Sequence, residues 1–423
     1  MKMPSRSKIS VAGNCSLRSF IMKFCRWYPE PAEASHFDYS PDTTDVHSTR
    51  IRAWVNILQT NRSLEELQLN RSAFKPADWD IFFATLQNNN TGLKRVFVEG
   101  LNWYFHCRGI LASCGSEQKT AAPSRPDAII TRCKQLCNIG FWLEVKQDVV
   151  WFEKAISTLR SCSHVTTLAV DVHRPELERD VQELIADYIK HTITLKTLRL
   201  SFPIIFGTNA TQSASIVKTI AALKNNSSIR KLFLVYREFT DEEASLFTAL
   251  MKSNKTIYDL EIFTSMASTE TLVNRLSPGF AANYTLVSLR FHWRRLPLTR
   301  HFYYVNDVVR RNTDLVTRAA HCTAGNVSRT CAEALELVAE NPALLEKICE
   351  LQSLGQKDAA QVVRNTRATL LGLDDFMRIT DVVKTRVTCS SSEDYNLQLN
   401  DVDEYSWLQV RRLLRLSDVL TPA

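Results

Sequence analysis

Glycine is scarce in this sequence, with 11 glycines among 423 residues. Loops that bind phosphate groups need glycine at fixed positions, and the chain contains none of the patterns GxxxxGK[ST], GxGxxG, HExxH or GxSxG. We therefore expect a protein that is not an enzyme, with no catalytic residues, no cofactor and no bound metal.

Long hydrophobic runs are also missing, since no apolar stretch approaches the ~18 residues needed to cross a bilayer. The N-terminal stretch MKMPSRSKISVAGNCSLRSFIMKFCRW carries Lys and Arg where a signal peptide has an uninterrupted apolar segment. Eleven cysteines, an odd number at irregular spacing, fit a reducing compartment better than a disulfide framework. We expect no membrane partner and a cytoplasmic protein, with the nucleus as the alternative location.

The charge balance is only mildly basic. A net charge of +7 over 423 residues is too small to indicate nucleic-acid binding by itself. The composition, 45% apolar and 23% charged, is typical of a globular chain with a sizeable core.

A repeated pattern supplies the positive evidence. NSSIRKLFL, NKTIYDLEI and NYTLVSLRF each combine an Asn with the spacing LxxLxL, and they recur at intervals of 28 and 29 residues. Such a period holds one short strand and one helix, which is typical of a leucine-rich repeat. Extended along the chain, the template predicts repeats that start at Leu17, Leu64, Leu93, Leu136, Val165, Leu195, Ile229, Ile257, Leu286 and Leu315.

Two of the intervals between predicted repeat starts are longer than the others, and both contain residues that are typical of loops. The stretches near 26–46 and 105–130 hold prolines, acids and small polar residues, so we predict loop insertions there. We predict a solenoid over 1–325, a helical cap over 326–388, and a linker with a terminal amphipathic helix over 389–423. The stretch Leu315-xx-Arg318-x-Ala320 is interpreted as a degraded last strand.

A helix precedes each predicted strand, and its last apolar residue stands six positions before the first strand residue in most repeats. One of these helices starts with a predicted Thr240/Glu243 capping box. The turn between helix and strand holds an Asn in six repeats, and we predict that it adopts the left-handed conformation in which Asn often ends helices. The six are Asn61, Asn90, Asn226, Asn254, Asn283 and Asn312. Helical crossovers make the predicted sheet parallel, with strands inside and helices outside a horseshoe.

The unit N-x-[ST]-L-x-x-L-x-L alternating with a full helix resembles the ribonuclease-inhibitor-like leucine-rich repeats. The same class occurs in NLR immune sensors, tropomodulin-like proteins, Ran GTPase-activating proteins and arthropod repeat proteins of unassigned function. The resemblance covers roughly Asn14 to Thr323 and implies an α/β horseshoe. The chain departs from that class after the strands, where Asn or Cys is usual and residues such as Pro203 and Arg237 stand instead.

Strand alternation predicts a binding surface on the concave face, because the residues between the apolar positions point away from the core. The candidate partner-binding residues are Lys231, Phe233, Tyr236, Glu261, Phe263, Arg290, His292 and Trp293. We expect exposed aromatic side chains ringed by charge, which are typical of binding hot spots. Two alternatives stay open: the helical cap folds over this surface, or irregular repeats turn these side chains inward.

Three further features each have a functional and a structural interpretation: a group of cysteines, an arginine-rich stretch and the terminal segment. Cys107, Cys114, Cys133 and Cys137, with His106, could bind zinc, but their spacing fits ordinary cysteines better. The arginine-rich stretch from Arg290 to Arg311 is interpreted as a solvated basic edge, with a site for an acidic partner or for nucleic acid as the alternatives.

The terminal stretch Leu399–Leu420 resembles the first half of an F-box, which would dock on a Skp-type adaptor. Its expected helix has an apolar side, and arginines lie outside that side. The apolar side holds Trp407, Val410, Leu413 and Leu414, and the other holds Arg411, Arg412 and Arg415. The simpler reading is a helix that packs its Trp407 side on the cap.

Together these observations predict a non-enzymatic scaffold that binds a protein partner on the concave face. The identity of that partner is not encoded in any motif, and nucleic acid is not expected. Two alternative functions are a substrate adaptor of a ubiquitin ligase and a Ran-type GTPase-activating protein.

Overall fold

The computed structural model describes residues 19–21, 44–61, 63–70, 81–82, 84–86, 93–99, 131, 134–202, 215–292, 299–384 and 402–419. The chain divides into two compact units. The first comprises Met1–Ile229 with Phe233–Arg237, and the second comprises Arg230–Leu232 with Glu238–Ala423.

The strands form two sheets, with the orders β1-β2-β3 and β4-β5-β6-β7-β8-β9. Their bounds are β1 Ser19–Ile21, β2 Glu66–Asn70, β3 Arg95–Glu99, β4 Asn138–Leu143, β5 Thr167–Val172, β6 Thr197–Ser201, β7 Lys231–Val235, β8 Asp259–Phe263 and β9 Ser288–Phe291. The pairs β1–β2, β2–β3, β4–β5, β5–β6 and β8–β9 are all parallel. The sequence-based expectation of a parallel α/β protein is therefore confirmed.

The strand positions follow the sequence template closely. Each strand begins two residues after a template start, from Ser19 after Leu17 to Ser288 after Leu286. The paired residues Asn138, Thr167 and Thr197 show that neighbouring strands keep one register. A strand thus follows Leu17 and Leu136 as well, and the repeated architecture is compatible with an α/β solenoid.

The helices that precede these strands are α1 Thr44–Thr60, α2 Lys146–Leu159, α3 Glu178–His191, α4 Val217–Asn225, α5 Asp241–Ser253 and α6 Met266–Leu276. The apolar residue six positions before each template start is at most 3% exposed in the repeats described, because it fills the space between helix and strand. These residues are Leu58, Leu159, Ile189, Leu223, Met251 and Phe280. Burial of each such side chain contributes about 1.5–3 kcal/mol.

Helix α5 starts with the capping box that the sequence predicts. The Thr240 hydroxyl accepts a hydrogen bond from Glu243 N at 3.2 Å, and Thr240 N donates to the Glu243 carboxylate at 2.9 Å. These two bonds satisfy backbone groups that a helix start otherwise leaves without partners.

Thr240→Ala is expected to lower the free energy of unfolding by about 1 kcal/mol, because it removes the side-chain acceptor of this cap. The measurement is a urea titration followed by circular dichroism. Ser253→Ala, at the exposed end of the same helix, removes no N-terminal cap and serves as the comparison. Equal stability of Thr240→Ala and the wild type would show that the capping box contributes nothing.

Three of the six turn asparagines have an extended backbone and not the predicted left-handed conformation, and Asn90 lies outside the described residues. Asn226, Asn254 and Asn283 have φ values of −85°, −71° and −79° and an extended backbone. Each side-chain oxygen instead accepts hydrogen bonds from two backbone N–H groups at the start of the next repeat, as Asn254 Oδ1 does from Thr256 N and Ile257 N at 2.8 and 2.7 Å. Asparagine tolerates both the left-handed conformation and an extended backbone whose side chain accepts hydrogen bonds. The extended form occurs here because these buried N–H groups need an acceptor.

The same asparagines join successive repeats. Asn226 Nδ2 donates to Ile189 O and Thr192 O at 2.8 and 3.0 Å, and both carbonyls belong to the preceding repeat. In the second unit, Asn283 Nδ2 donates in the same way to Met251 O at 2.9 Å. Each amide therefore satisfies buried groups of two repeats at once.

The predicted last strand at Leu315 is wrong, because Leu315 lies inside a long helix, α7 Arg300–Thr323. Its buried positions Leu315, Val316, Ala319 and Ala320 follow the helical period. Side chains of this helix nevertheless bond to the preceding repeat. Asn312 Nδ2 donates to Leu286 O at 2.9 Å, and Thr313 Oγ1 donates to Val287 O at 2.7 Å.

Further helices follow α7 in the second unit. They are α8 Arg329–Val338, α9 Pro342–Gln352, α10 Gln356–Leu371, α11 Leu373–Ile379 and α12 Glu404–Leu413. We call α8 to α11 the cap. The cap packs around Leu335, Leu344, Ile348 and Phe376, which are at most 1% exposed. Within the ranges that the structure describes, no helix has both the length and the apolar character to span a membrane.

Candidate partner-binding site

One face of strands β8 and β9 carries a group of charged and aromatic side chains. Along β8, Leu260 and Ile262 are each 1% exposed, whereas Asp259, Glu261 and Phe263 between them are partly exposed. This alternation follows from the strand period of two residues. We define the β8–β9 face as Asp259, Glu261, Phe263, Arg290 and His292.

The strand register places Glu261 directly opposite Arg290. Arg290 Nη2 donates to Glu261 Oε2 at 2.8 Å and to Asp259 Oδ1 at 3.2 Å, and Arg290 Nε donates to Glu261 Oε2 at 3.2 Å. Two carboxylates of one strand therefore hold the planar guanidinium group of the next strand. Opposite charges at such cross-strand positions stabilise a sheet and limit the rotamers of the long arginine side chain.

His292 completes the group. Its Nε2 lies 2.5 Å from Glu261 Oε1, so the two oxygens of this carboxylate serve two different side chains. The imidazole ring also lies beside Phe263, with ring centroids 6.4 Å apart and a tilt of 33° between the planes. The result is a rigid surface that combines charge with an aromatic ring.

Lys231, the first residue of β7, contacts the cap. Its Nζ lies 2.9 Å from Glu346 Oε2 on α9 and 5.6 Å from the centroid of the Tyr258 ring. Tyr258 is 4% exposed, and its burial raises the pKa of the phenol well above its ordinary value. The cap therefore covers the ring beside Lys231, as one of the two alternatives in the sequence analysis anticipated for this surface.

Two of the predicted aromatic residues are buried, which corrects the expectation that they are exposed. Phe233 is 8% exposed, and the Arg199 guanidinium lies over its ring at 4.7 Å. Tyr236 is 2% exposed and packs edge-on against Phe202, with centroids 6.1 Å apart. Both contacts lie within the first unit. Strand alternation predicts which side chains leave the core, but it does not predict which neighbouring side chains cover them. The predicted residue Trp293 lies outside the described residues.

The cysteine hypothesis can be followed only at Cys137. Its thiol is buried and lies 3.3 Å from Gln135 O, and burial raises its pKa. A raised pKa disfavours the thiolate that metal ligation requires. Cys107, Cys114, Cys133 and His106 lie outside the described residues, and the described part of the chain contains no group of three or more potential metal ligands.

The C-terminal helix α12 packs on the cap through Trp407. This residue is 5% exposed, its Nε1 donates to Leu371 O at 2.7 Å, and its ring meets Phe376 edge-on with centroids 5.5 Å apart. The expected apolar side is only partly buried, since Val410 is 49% and Leu413 is 88% exposed.

The expectation that Arg411 lies on the outer side of this helix is wrong. Arg411 is 6% exposed, forms an ion pair with Glu336 on α8, and lies over the Phe376 ring at 4.5 Å. Glu336 also accepts a hydrogen bond from Leu416 N at 3.1 Å. Sequence periodicity could not detect this pair, because the two residues come together only when the terminal segment folds back on the cap.

The comparisons with known proteins add little to this geometry. No protein-family model matches the sequence, and no curated protein matches it. Among solved structures, the chain is similar to one described as Leiomodin-1 Actin-Binding Site 2, at 17% identity over 32% of this chain and 74% of that chain, with a TM-score of 0.27. A likeness of this size carries no argument about fold or function.

Proposed function

We propose that this chain is a non-enzymatic scaffold of the leucine-rich repeat type that binds a protein partner through the β8–β9 face. The observation that carries the proposal is the position of Arg290, which two carboxylates hold in place while its side chain stays 53% exposed. A cation fixed before binding loses little conformational entropy when a partner arrives. Arginine and aromatic side chains of this kind supply most of the binding energy at protein interfaces.

The mechanism would be recognition by a preformed surface. The face belongs to a parallel sheet, so the backbone positions of its side chains are set by strand register and not by a loop. Because Glu261 joins Arg290 and His292, the three side chains form one connected group. We expect a partner to meet the guanidinium group, the imidazole and the Phe263 ring together.

Replacing Arg290 and Phe263 with alanine is expected to weaken partner binding by about tenfold or more, since two anchors of this kind are removed. The chain is fused to a biotin ligase, and the proteins labelled by the wild type and by the double variant are compared by mass spectrometry. Arg310→Ala serves as the control, because that arginine is 82% exposed and lies on α7. Unchanged labelling by a folded double variant would reject the proposed surface.

Each of the two alternative functions has a separate test. If the chain is a ubiquitin-ligase adaptor, the full chain should bind a purified Skp-type protein through α12. If it is a Ran-type GTPase activator, it should accelerate GTP hydrolysis by GTP-loaded Ran. Binding of a Skp-type protein through α12 does not involve the β8–β9 face, so Arg290→Ala should leave that binding unchanged.

A further inference from the structure

We propose that the partner of the β8–β9 face is a peptide segment that presents one carboxylate beside an apolar or aromatic side chain. The carboxylate would accept hydrogen bonds from Arg290, and the apolar side chain would pack beside Phe263 and His292. This inference rests on the proposed function and adds the chemistry of the partner to it.

The first argument is the hydrogen-bonding capacity of Arg290. A guanidinium group has five N–H donors in a fixed plane. Glu261 and Asp259 engage Nε and Nη2, whereas Nη1 donates to no residue in the ranges that the structure describes. The two N–H groups of Nη1 thus match an acceptor from outside, and a carboxylate is the acceptor that pairs most strongly with arginine in protein interfaces.

The second argument is the order in which a partner meets these groups. The side chains of Arg290 and His292 are 53% and 47% exposed, whereas those of Asp259 and Glu261 are only 19% and 21% exposed. The acidic groups are therefore less accessible than the guanidinium and the imidazole. An incoming segment contacts these two groups first, and the guanidinium favours an acidic side chain over a basic one.

The third argument is a carboxylate that already occupies a similar place within the second unit. Glu346 of the cap pairs with Lys231 at 2.9 Å, and the Lys231 ammonium group lies over the Tyr258 ring. A cation, an aromatic ring and a carboxylate thus come together at the start of β7. The β8–β9 face already holds its own cation, ring and carboxylates, so we infer that a partner supplies a further carboxylate to the Nη1 group of Arg290.

The same charges argue against a nucleic acid as the partner. Nucleic-acid binding needs a run of cations without counter-charges, because each phosphate carries a full negative charge. Among the five residues of this face, Arg290 is the one arginine or lysine and lies between the carboxylates of Asp259 and Glu261, so the face offers no run of cations. A single carboxylate on an otherwise apolar segment avoids most of the repulsion that a row of phosphates would meet.

A peptide selection tests this inference. A random dodecapeptide phage library is selected on the immobilised full-length protein, with Arg290→Ala protein present in solution as a competitor. Selected peptides are synthesised, together with versions in which each Glu or Asp becomes Gln or Asn, and their dissociation constants are measured by fluorescence anisotropy. We expect selected peptides to share one acid next to an aromatic or large apolar residue.

A double-mutant cycle then identifies the carboxylate contact. For the wild type, both Arg290→Ala and the acid-to-amide change in the peptide should weaken binding by about tenfold, and the two changes together should weaken it little further. Arg310→Ala should leave the affinity within about twofold of the wild type, as expected for an exposed residue outside the contact.

The outcomes distinguish failure of the proposed partner chemistry from failure of the proposed binding surface. Peptides that lose affinity for Phe263→Ala protein but carry no acid, or that tolerate the acid-to-amide change, would overturn the inference and leave the proposed surface intact. Peptides that bind the Phe263→Ala and Arg290→Ala proteins like the wild type, or failure of the library to enrich any peptide, would count against the surface as well. Tighter binding of a fluorescent single-stranded DNA, abolished by Arg290→Ala, would also overturn the inference.

Discussion

Replacing Asn226 with alanine is expected to lower the free energy of unfolding by about 3–5 kcal/mol, a large effect for a single polar side chain. The side chain is 8% exposed and makes hydrogen bonds with two repeats of the first unit. Its oxygen accepts from Ser228 N and Ile229 N at 2.8 and 2.9 Å, and its amide donates to Ile189 O and Thr192 O. Alanine would remove the Asn226 partner from all four buried backbone groups, of which Thr192 O keeps a hydrogen bond from Ser228 Oγ at 3.2 Å.

Asn226→Asp separates the two halves of this contact. An aspartate keeps the acceptor for Ser228 N and Ile229 N but places a second carboxylate oxygen against the carbonyls of Ile189 and Thr192. We expect it to be at least as destabilising as alanine at neutral pH, because the amide donor is replaced by a repelled acceptor.

The measurement is equilibrium unfolding in urea, with circular dichroism and tryptophan fluorescence followed in parallel. Asn326→Ala is the matched control, because Asn326 is exposed and lies after α7. A loss below about 1 kcal/mol for Asn226→Ala, the size of an ordinary solvated hydrogen bond, would show that water replaces the asparagine amide.

Arg411→Leu is expected to destabilise the cap by about 2–4 kcal/mol, because it leaves the Glu336 carboxylate without its cation. The side chains of Arg411 and Glu336 are 5% and 21% exposed, so water can compensate only in part. The substitution also removes the contact over the Phe376 ring and the bond that Arg411 makes to Leu414 O. We expect faster hydrogen exchange in α12 and faster proteolysis of the terminal segment.

Arg412→Leu provides the control for this experiment, since Arg412 is the next residue on the same helix and is exposed. A second control replaces both partners, Glu336→Leu with Arg411→Leu, which removes the unpaired charge. We expect the double variant to recover part of the loss, as buried ion pairs often tolerate joint apolar replacement. If Arg411→Leu and Arg412→Leu exchange at the same rate, the ion pair does not hold the terminal segment.

The sequence predicts the repeats well because their signal is local. The spacing LxxLxL marks each strand within six residues. The strands β1 to β9 all begin two residues after a template start. The Thr240 capping box is predictable for the same reason, since its two partners stand three residues apart. At Leu315 the pattern has Arg318 at its second apolar position and acquires helical spacing, a sign that the strand interpretation overlooked.

The candidate site was predictable only where strand alternation decides exposure. Alternation holds along β8, so Glu261 and Phe263 are partly exposed as expected. It fails along β7, where Arg199 covers Phe233, and just after β7, where Tyr236 packs against Phe202. The turn asparagines show a similar limit, because the carbonyls that Asn226 satisfies belong to a repeat more than thirty residues earlier.

Asn312 and Thr313 also explain how the array of strands can end without a free edge at this position. Within the second unit, Tyr258 O accepts bonds from Val287 N and Ser288 N, so the equivalent carbonyl just before β9, Val287 O, is where a following strand would first attach. Thr313 Oγ1 already occupies it, and Asn312 Nδ2 donates to the carbonyl before it. A strand from a second molecule would have to displace both side chains, so α7 hinders edge-to-edge pairing at the start of β9, the kind of pairing that begins fibril growth.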